Sequence, residues 1–112
     1  MPLPELPRTE LDAWLTLLGA PRLAPRLLRE AIARHVDART VLQAGPAAWR
    51  ALGFDPANDE ALLRPAASAR ELDWLAAPGH HLILFGSADY PPLLARSPDP
   101  PAALWLRGDP TV

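Results

Sequence analysis

The sequence predicts an α+β fold, with helices over residues 1–76 and β structure over residues 77–112. Three observations carry this. Apolar residues recur at helical spacing through the first two thirds of the chain. Two short apolar runs, Leu82-Ile83-Leu84-Phe85 and Ala103-Leu104-Trp105-Leu106, are each bounded by Gly, Pro, Ser or Asp, which reads as strands with turn punctuation. Between them lie Tyr90-Pro91-Pro92 and Pro98-Asp99-Pro100-Pro101, a proline density that excludes a long helix or a central strand.

Composition narrows the class. The chain has 112 residues and is 49% hydrophobic, enough for a core and too much for disorder. It has no cysteine, so disulfides and thiolate metal sites are excluded. No apolar run approaches the roughly 18 residues of a membrane span. The start, Met1-Pro2-Leu3-Pro4, lacks the basic and apolar regions of a signal peptide, so a cytoplasmic location is the expectation. All 11 basic residues are arginine and the net charge is −2, so the chain as a whole is not a basic DNA binder. The charge is uneven: residues 20–50 carry six arginines against Glu30 and Asp37, and both flanks are acidic.

Taken in order, Thr9 and Asp12 resemble a capping box, with Asp in place of the usual Glu. The helix after them places Leu11, Trp14, Leu15 and Leu18 on one face, and Gly19 ends it. Pro21 suits the first turn of a second helix that runs to about His35. Leu23, Leu27, Leu28 and Ala31 form its apolar side, and Arg22, Arg26 and Arg29 a basic stripe opposite. Arg26–Glu30 and Glu30–Arg34 are spaced as ion pairs. His35, at the C-terminal end, suits a capping role. Short helices over about 38–43 and 46–52 follow, separated by Gly45 and closed by Gly53, with Trp49 and Leu52 aimed at the core. Asn58 or Asp59 caps a fifth helical region. Pro65 kinks or divides it, and Ala69, Leu72 and Leu75 or Trp74 supply its buried face. Pro78-Gly79 is a turn, and the first strand begins after it.

The second unit reads as strand, short helical turn over Leu93-Leu94-Ala95, extended proline segment and strand. Tyr90-Pro91-Pro92-Leu93-Leu94, then Pro98-Asp99-Pro100-Pro101, then Leu104-Trp105-Leu106-Arg107-Gly108 resemble, in order and spacing, a signature of the DNA-processing protein A family (DprA, also called Smf). The resemblance covers about a quarter of the chain. It gives Tyr90, Pro91, Leu94, Asp99, Pro101, Arg107 and Gly108 structural roles. It implies a helical bundle, SAM-like or helix-hairpin-helix-like, over residues 1–76. Residues 77–112 would be the first strands of a Rossmann-like domain, truncated after Val112. A Gly-Ser-Arg phosphate-binding segment and the main DNA pocket would follow. The family is non-catalytic and cytoplasmic; its members bind incoming single-stranded DNA and help load the RecA recombinase during natural transformation. No cofactor is implied.

Leu17-Leu18-Gly19-Ala20-Pro21-Arg22 resembles a helix-hairpin-helix element. Such a hairpin points backbone N–H groups and a helix N-terminus at a phosphate. Pro21 stands where a second glycine is usual, and it has no N–H to donate. Gly19, Arg22, Arg26 and Arg29 are the candidate nucleic-acid contacts. Without an interleaved aromatic, three such charges give only weak, salt-sensitive binding. The competing reading is an accessory protein-interaction or self-association module that contacts no DNA.

The remaining motifs read as structural. His80 and His81 are adjacent in a strand and point to opposite faces, so they do not share a metal. Gly86-Ser87-Ala88-Asp89 is a turn in which Ser87 or Asp89 caps the next helical turn. Trp14, Trp49, Trp74 and Trp105 read as core anchors, and Tyr90 and Leu93 are expected to pack on the strands. No pattern indicates an enzyme.

Overall fold

The structure, a computed structural model, describes residues 7–64 and 69–108. Its described elements are α1 (Arg8–Leu18), α2 (Pro25–His35), α3 (Ala38–Ala51), a 3-10 turn (Pro56–Asn58), α4 (Asp59–Leu63), α5 (Ala69–Ala76), β1 (His80–Leu84), α6 (Pro92–Ala95) and β2 (Ala103–Arg107). This is the α+β order that the sequence predicts. Pro65 and residues 66–68 lie outside the described residues. No described helix is long and apolar enough to cross a membrane.

Helix α1 starts one residue before the expected capping box. Pro7 is its N-cap, no side chain caps it, and Asp12 instead pairs with Arg8 at 3.0 Å. Thr9 therefore lies within the helix rather than at its cap. Helix α2 starts four residues later than Pro21 implies, with Pro25 at its first position. Both prolines suit a helix start; Pro25 fills the role because residues 21–24 are spent on the turn between helices.

In α3, Gly45 breaks the helix with φ 85 and ψ 176, so the element is two short helices joined across a kink, as Gly45 and Pro46 imply. Glycine takes that dihedral without the Cβ clash other residues meet. Two carboxylates hold the N-terminus of α3. Asp37 Oδ1 accepts the Thr40 N–H at 2.8 Å, and Glu10 Oε1, from α1, accepts the Ala38 N–H at 2.6 Å. The C-terminus closes in a Schellman arrangement: the Gly53 N–H donates to Arg50 O and the Phe54 N–H to Trp49 O. Gly53, at φ 88, is the left-handed residue that this requires.

Trp14, Leu17, Leu28, Ala31, Val41, Trp49, Phe54 and Leu62 form the bundle core. Trp49 is fully buried, and its indole N–H donates to Val41 O at 2.8 Å, so the polar end is satisfied. Leu52 packs on this core, as expected, as do Leu18, Leu23 and Leu27.

Strands β1 and β2 pair antiparallel, with Leu82 opposite Trp105 and Ile83 opposite Leu104. Directly opposed residues share a face. His80, Leu82, Leu84, Ala103 and Trp105 therefore face one way, and Leu104 and Leu106 lie on the other side with Ile83. Leu82, Leu84 and Ala103 pack against the bundle core, which Ala102 joins. The helices thus supply burial that two strands alone lack.

Several expected core positions differ. Trp74, Leu72 and Leu75 of α5 are only half-buried and stand outside the bundle core. Leu93 is 81% exposed, because the turn of α6 directs Leu94 inward and Leu93 outward. Trp105 is 43% exposed, at the margin between sheet and bundle. Ser87 and Asp89 do not cap α6: its N-cap is Pro91, with no side-chain cap.

Candidate functional site

Three places hold the residues singled out by the sequence: the hairpin between α1 and α2, the joint between bundle and sheet, and a cleft beside the C-terminus of α1.

In the hairpin, every backbone N–H from Gly19 to Arg22 is used internally or absent. Gly19 donates to Leu15 O at 3.0 Å and Ala20 to Leu17 O at 3.2 Å. Pro21 has none. Arg22 donates to Asn58 Oδ1 at 2.8 Å. Asn58 is fully buried beneath the turn; it occupies the N-cap position of α4, as predicted, without capping that helix by its side chain. Gly19 is helical, at φ −81. A Cβ there would stand 3.3 Å from Leu15 O, so close approach rather than backbone dihedral favours glycine.

The basic stripe is not a stripe on one helix. Arg22 lies in the turn, off α2. Arg26 is exposed and pairs with Glu30 at 3.4 Å; Glu30–Arg34 is not among the ion pairs of the described residues. Arg29 points inward, and its side chain is only 14% exposed. Gly19, Arg22, Arg26 and Arg29 thus share a neighbourhood in sequence but do not present one cationic surface.

Arg29 is instead the centre of the joint. Its guanidinium pairs with Asp99 at 3.1 Å, donates to Pro100 O and lies 5.5 Å from the centroid of the Phe85 ring. Tyr90 is buried; its hydroxyl donates to Pro101 O at 2.8 Å, and its ring meets Phe85 edge-on at 5.3 Å. Burial pushes the Tyr90 phenol above its ordinary value, and Arg29 opposes this to a smaller degree. The structure therefore brings together Tyr90, Asp99 and Pro101, three widely spaced residues of the motif, around one arginine of the bundle. Pro91 caps α6, and Leu94 O accepts the Ser97 N–H and hydroxyl, which closes the turn. Arg107 ends β2, and the Gly108 N–H donates to Gly79 O at 2.7 Å, extending the pairing by one step beyond His80 and Arg107 at that end of the sheet.

The third place was not apparent from sequence. A cleft of about 430 Å³ opens between α1 and α5. Leu15, Leu18 and Gly19 form one wall; Glu71, Trp74 and Trp105 form the other, with Arg70 at the lining. The ring of Trp74 stacks on His80 at 4.0 Å and meets Trp105 nearly perpendicular at 5.6 Å. His80 Nδ1 also lies 2.6 Å from Trp74 O, so His80 is structural. Glu71 Oε2 is shielded from solvent and has no hydrogen-bond partner among the described residues. The available signal was the alternation in β2, which sets Trp105 opposite in facing to Leu104 and Leu106.

Among the described residues, no group of three or more His, Asp or Glu is arranged to hold a metal ion. No protein-family model, curated protein or solved structure matches the chain.

Proposed function

We propose that this chain is the N-terminal part of a protein like the DNA-processing protein A family, and that its bundle is a protein-interaction module rather than a DNA contact. On this reading residues 1–76 are the SAM-like module and residues 77–112 begin a Rossmann-like domain. The whole protein is cytoplasmic and non-enzymatic, binds single-stranded DNA elsewhere and helps load RecA. The motif from Tyr90 to Gly108 supports the family reading, and the joint gives its spacing a physical purpose: Tyr90 and Asp99 both tie the proline segment down.

One observation carries the choice of an interaction module. A hairpin that grips phosphate needs outward N–H groups, and residues 19–22 have none to spare. The cleft between α1 and α5, with Trp74 and Trp105 at its edge, is the concave surface that this reading assigns to a partner. The test is fluorescence anisotropy of a labelled single-stranded oligonucleotide with this chain at about 0.15 M salt. The expected result is no binding in the submicromolar range. Submicromolar binding would restore the alternative, a helix-hairpin-helix-type nucleic-acid module.

A further inference from the structure

We infer that β2 pairs edge to edge with β2 of a second copy of this chain, antiparallel about Trp105, so that the two sheets join into one. The inference concerns the sheet rather than the bundle. It goes beyond the interaction-module reading and does not depend on it.

The Phe85 N–H donates to Ala102 O at 2.9 Å and the Gly108 N–H to Gly79 O at 2.7 Å, and the register between them sets His80 opposite Arg107 and Leu84 opposite Ala103. Bonded and non-bonded pairs alternate along an antiparallel ladder. The N–H and C=O groups of Ala103, Trp105 and Arg107 therefore point away from β1. None of them has a backbone partner among the described residues, and the described sheet has no strand beyond β2. The outer edge of β1 differs. There the His80 N–H donates to Ala77 O at 3.2 Å and Leu84 O accepts the Ser87 N–H at 3.0 Å, which closes that edge at both ends. Free groups at every second residue are a template for another extended strand. Little in β2 turns such a strand away: Ala103–Arg107 holds no proline, glycine or acidic residue, and its one charge, Arg107, stands at the end.

The side chains of this edge select the occupant. Leu104-Trp105-Leu106 reads the same in both directions. Antiparallel pairing about Trp105 sets Trp105 against the partner's Trp105, Leu104 against the partner's Leu106 and Ala103 against the partner's Arg107. Ala103, Trp105 and Arg107 then all fall in bonded pairs. The half-exposed indoles cover each other, and the half-buried Leu104 and Leu106 form an apolar cross-strand pair on the other face. No like charges are opposed, and Arg107 lies diagonal to the partner's Trp105, within reach of its ring. An unrelated extended segment would meet the same backbone groups without this match of side chains.

A strand this short buries less than the roughly 1,200 Å² of a standard interface, so the dimer is weak, with an expected Kd of about 0.05–1 mM. Sedimentation equilibrium of this chain between about 0.02 and 2 mM should show it. In a mixture of labelled and unlabelled chain, isotope-filtered NOE spectra should connect Leu104 Hα to Leu106 Hα between copies, a contact that residues two apart on one strand do not make. Trp105→Lys sets two ammonium groups face to face and should raise Kd more than about tenfold. Arg107→Pro removes an outward N–H and none from the β1 ladder, so it should weaken the dimer while the ¹⁵N spectrum keeps the signals of the bundle. Leu93→Lys, at an exposed leucine on the turn of α6, should leave Kd within about twofold. A chain that stays monomeric to about 2 mM would overturn the inference. So would a dimer whose NOE contacts join other residues, at Leu93 or at the cleft between α1 and α5, and so would one that Trp105→Lys and Arg107→Pro both leave unweakened.

Discussion

The backbone N–H of Arg22 donates to the buried Oδ1 of Asn58 at 2.8 Å, across 36 residues of chain. That bond ties the turn between α1 and α2 to the start of α4. It also removes the donor that a phosphate-gripping hairpin would need at this position. Asn58→Ala should leave the Arg22 N–H without its acceptor and cost about 1–3 kcal/mol. Urea unfolding reads this as a lower midpoint at unchanged slope. An unchanged midpoint would show that the turn is held by something else.

Tyr90 gives a graded prediction. Tyr90→Phe loses only the bond to Pro101 O and should cost about 1 kcal/mol. Tyr90→Ala also leaves a cavity and should cost about 3–5 kcal/mol. Equal losses in the two variants would show that the ring contributes nothing beyond its hydroxyl.

The same phenol sets a pH dependence. Its folded value lies above its ordinary value of 10.0, so folding favours the protonated form. That contribution is fully present below pH 10 and is lost as pH rises through the raised folded value. As pH rises from 10 through the raised folded value, the native chain should therefore lose stability that Tyr90→Phe does not lose. Parallel melting curves for the two across that window would contradict the assignment.

How much of this was legible in the sequence follows from which contacts are local. Gly45, Gly53 and Pro78-Gly79 mark breaks in any chain, and the helix divisions and strand starts fell where they indicated. The capping box at Thr9 and the start at Pro21 were misplaced because the competing choices, Arg8–Asp12 pairing and Pro25, satisfy the same local rules. Arg29 reads as surface on a helical wheel. Its partner Asp99 lies 70 residues away, and no periodicity reports that. Glu10 likewise caps α3 from α1, a partnership visible only once the helices are packed. The cleft was hidden for a related reason: Trp74 and Trp105 looked like core, and only the packing of α5 beside β2 brings them together at its margin.

The Arg29 joint predicts an asymmetry. Asp99 is 62% exposed, so Asp99→Ala should cost less than about 1 kcal/mol. Arg29→Ala removes the ion pair, the bond to Pro100 O and the packing on Phe85, and should cost about 1.5–3 kcal/mol. Equal costs would place the stabilisation in the exposed ion pair alone.

Asp37 provides the acid counterpart. The hydrogen bonds from the Thr40 side chain and backbone hold its carboxyl below the ordinary 3.8. Its contribution is present above pH 3.8 and is lost as pH falls through the lower folded value. Asp37→Asn keeps a cap acceptor and should be nearly neutral at pH 7, where Asp37→Ala loses about 1 kcal/mol. Below pH 3.8 the native chain should lose stability more steeply than Asp37→Asn; matching acid profiles would refute the cap's role.

The most direct test of the central claim is an NMR titration of the ¹⁵N-labelled chain with a single-stranded oligonucleotide at about 0.15 M salt, following the amides of Gly19, Ala20, Arg22 and Arg26. With the hairpin's donors committed to Leu15, Leu17 and Asn58, these signals should stay in place through the titration. Saturable shifts at Gly19 and Arg22, with exchange of the Arg22 amide slowed by DNA, would show that the hairpin grips phosphate after all.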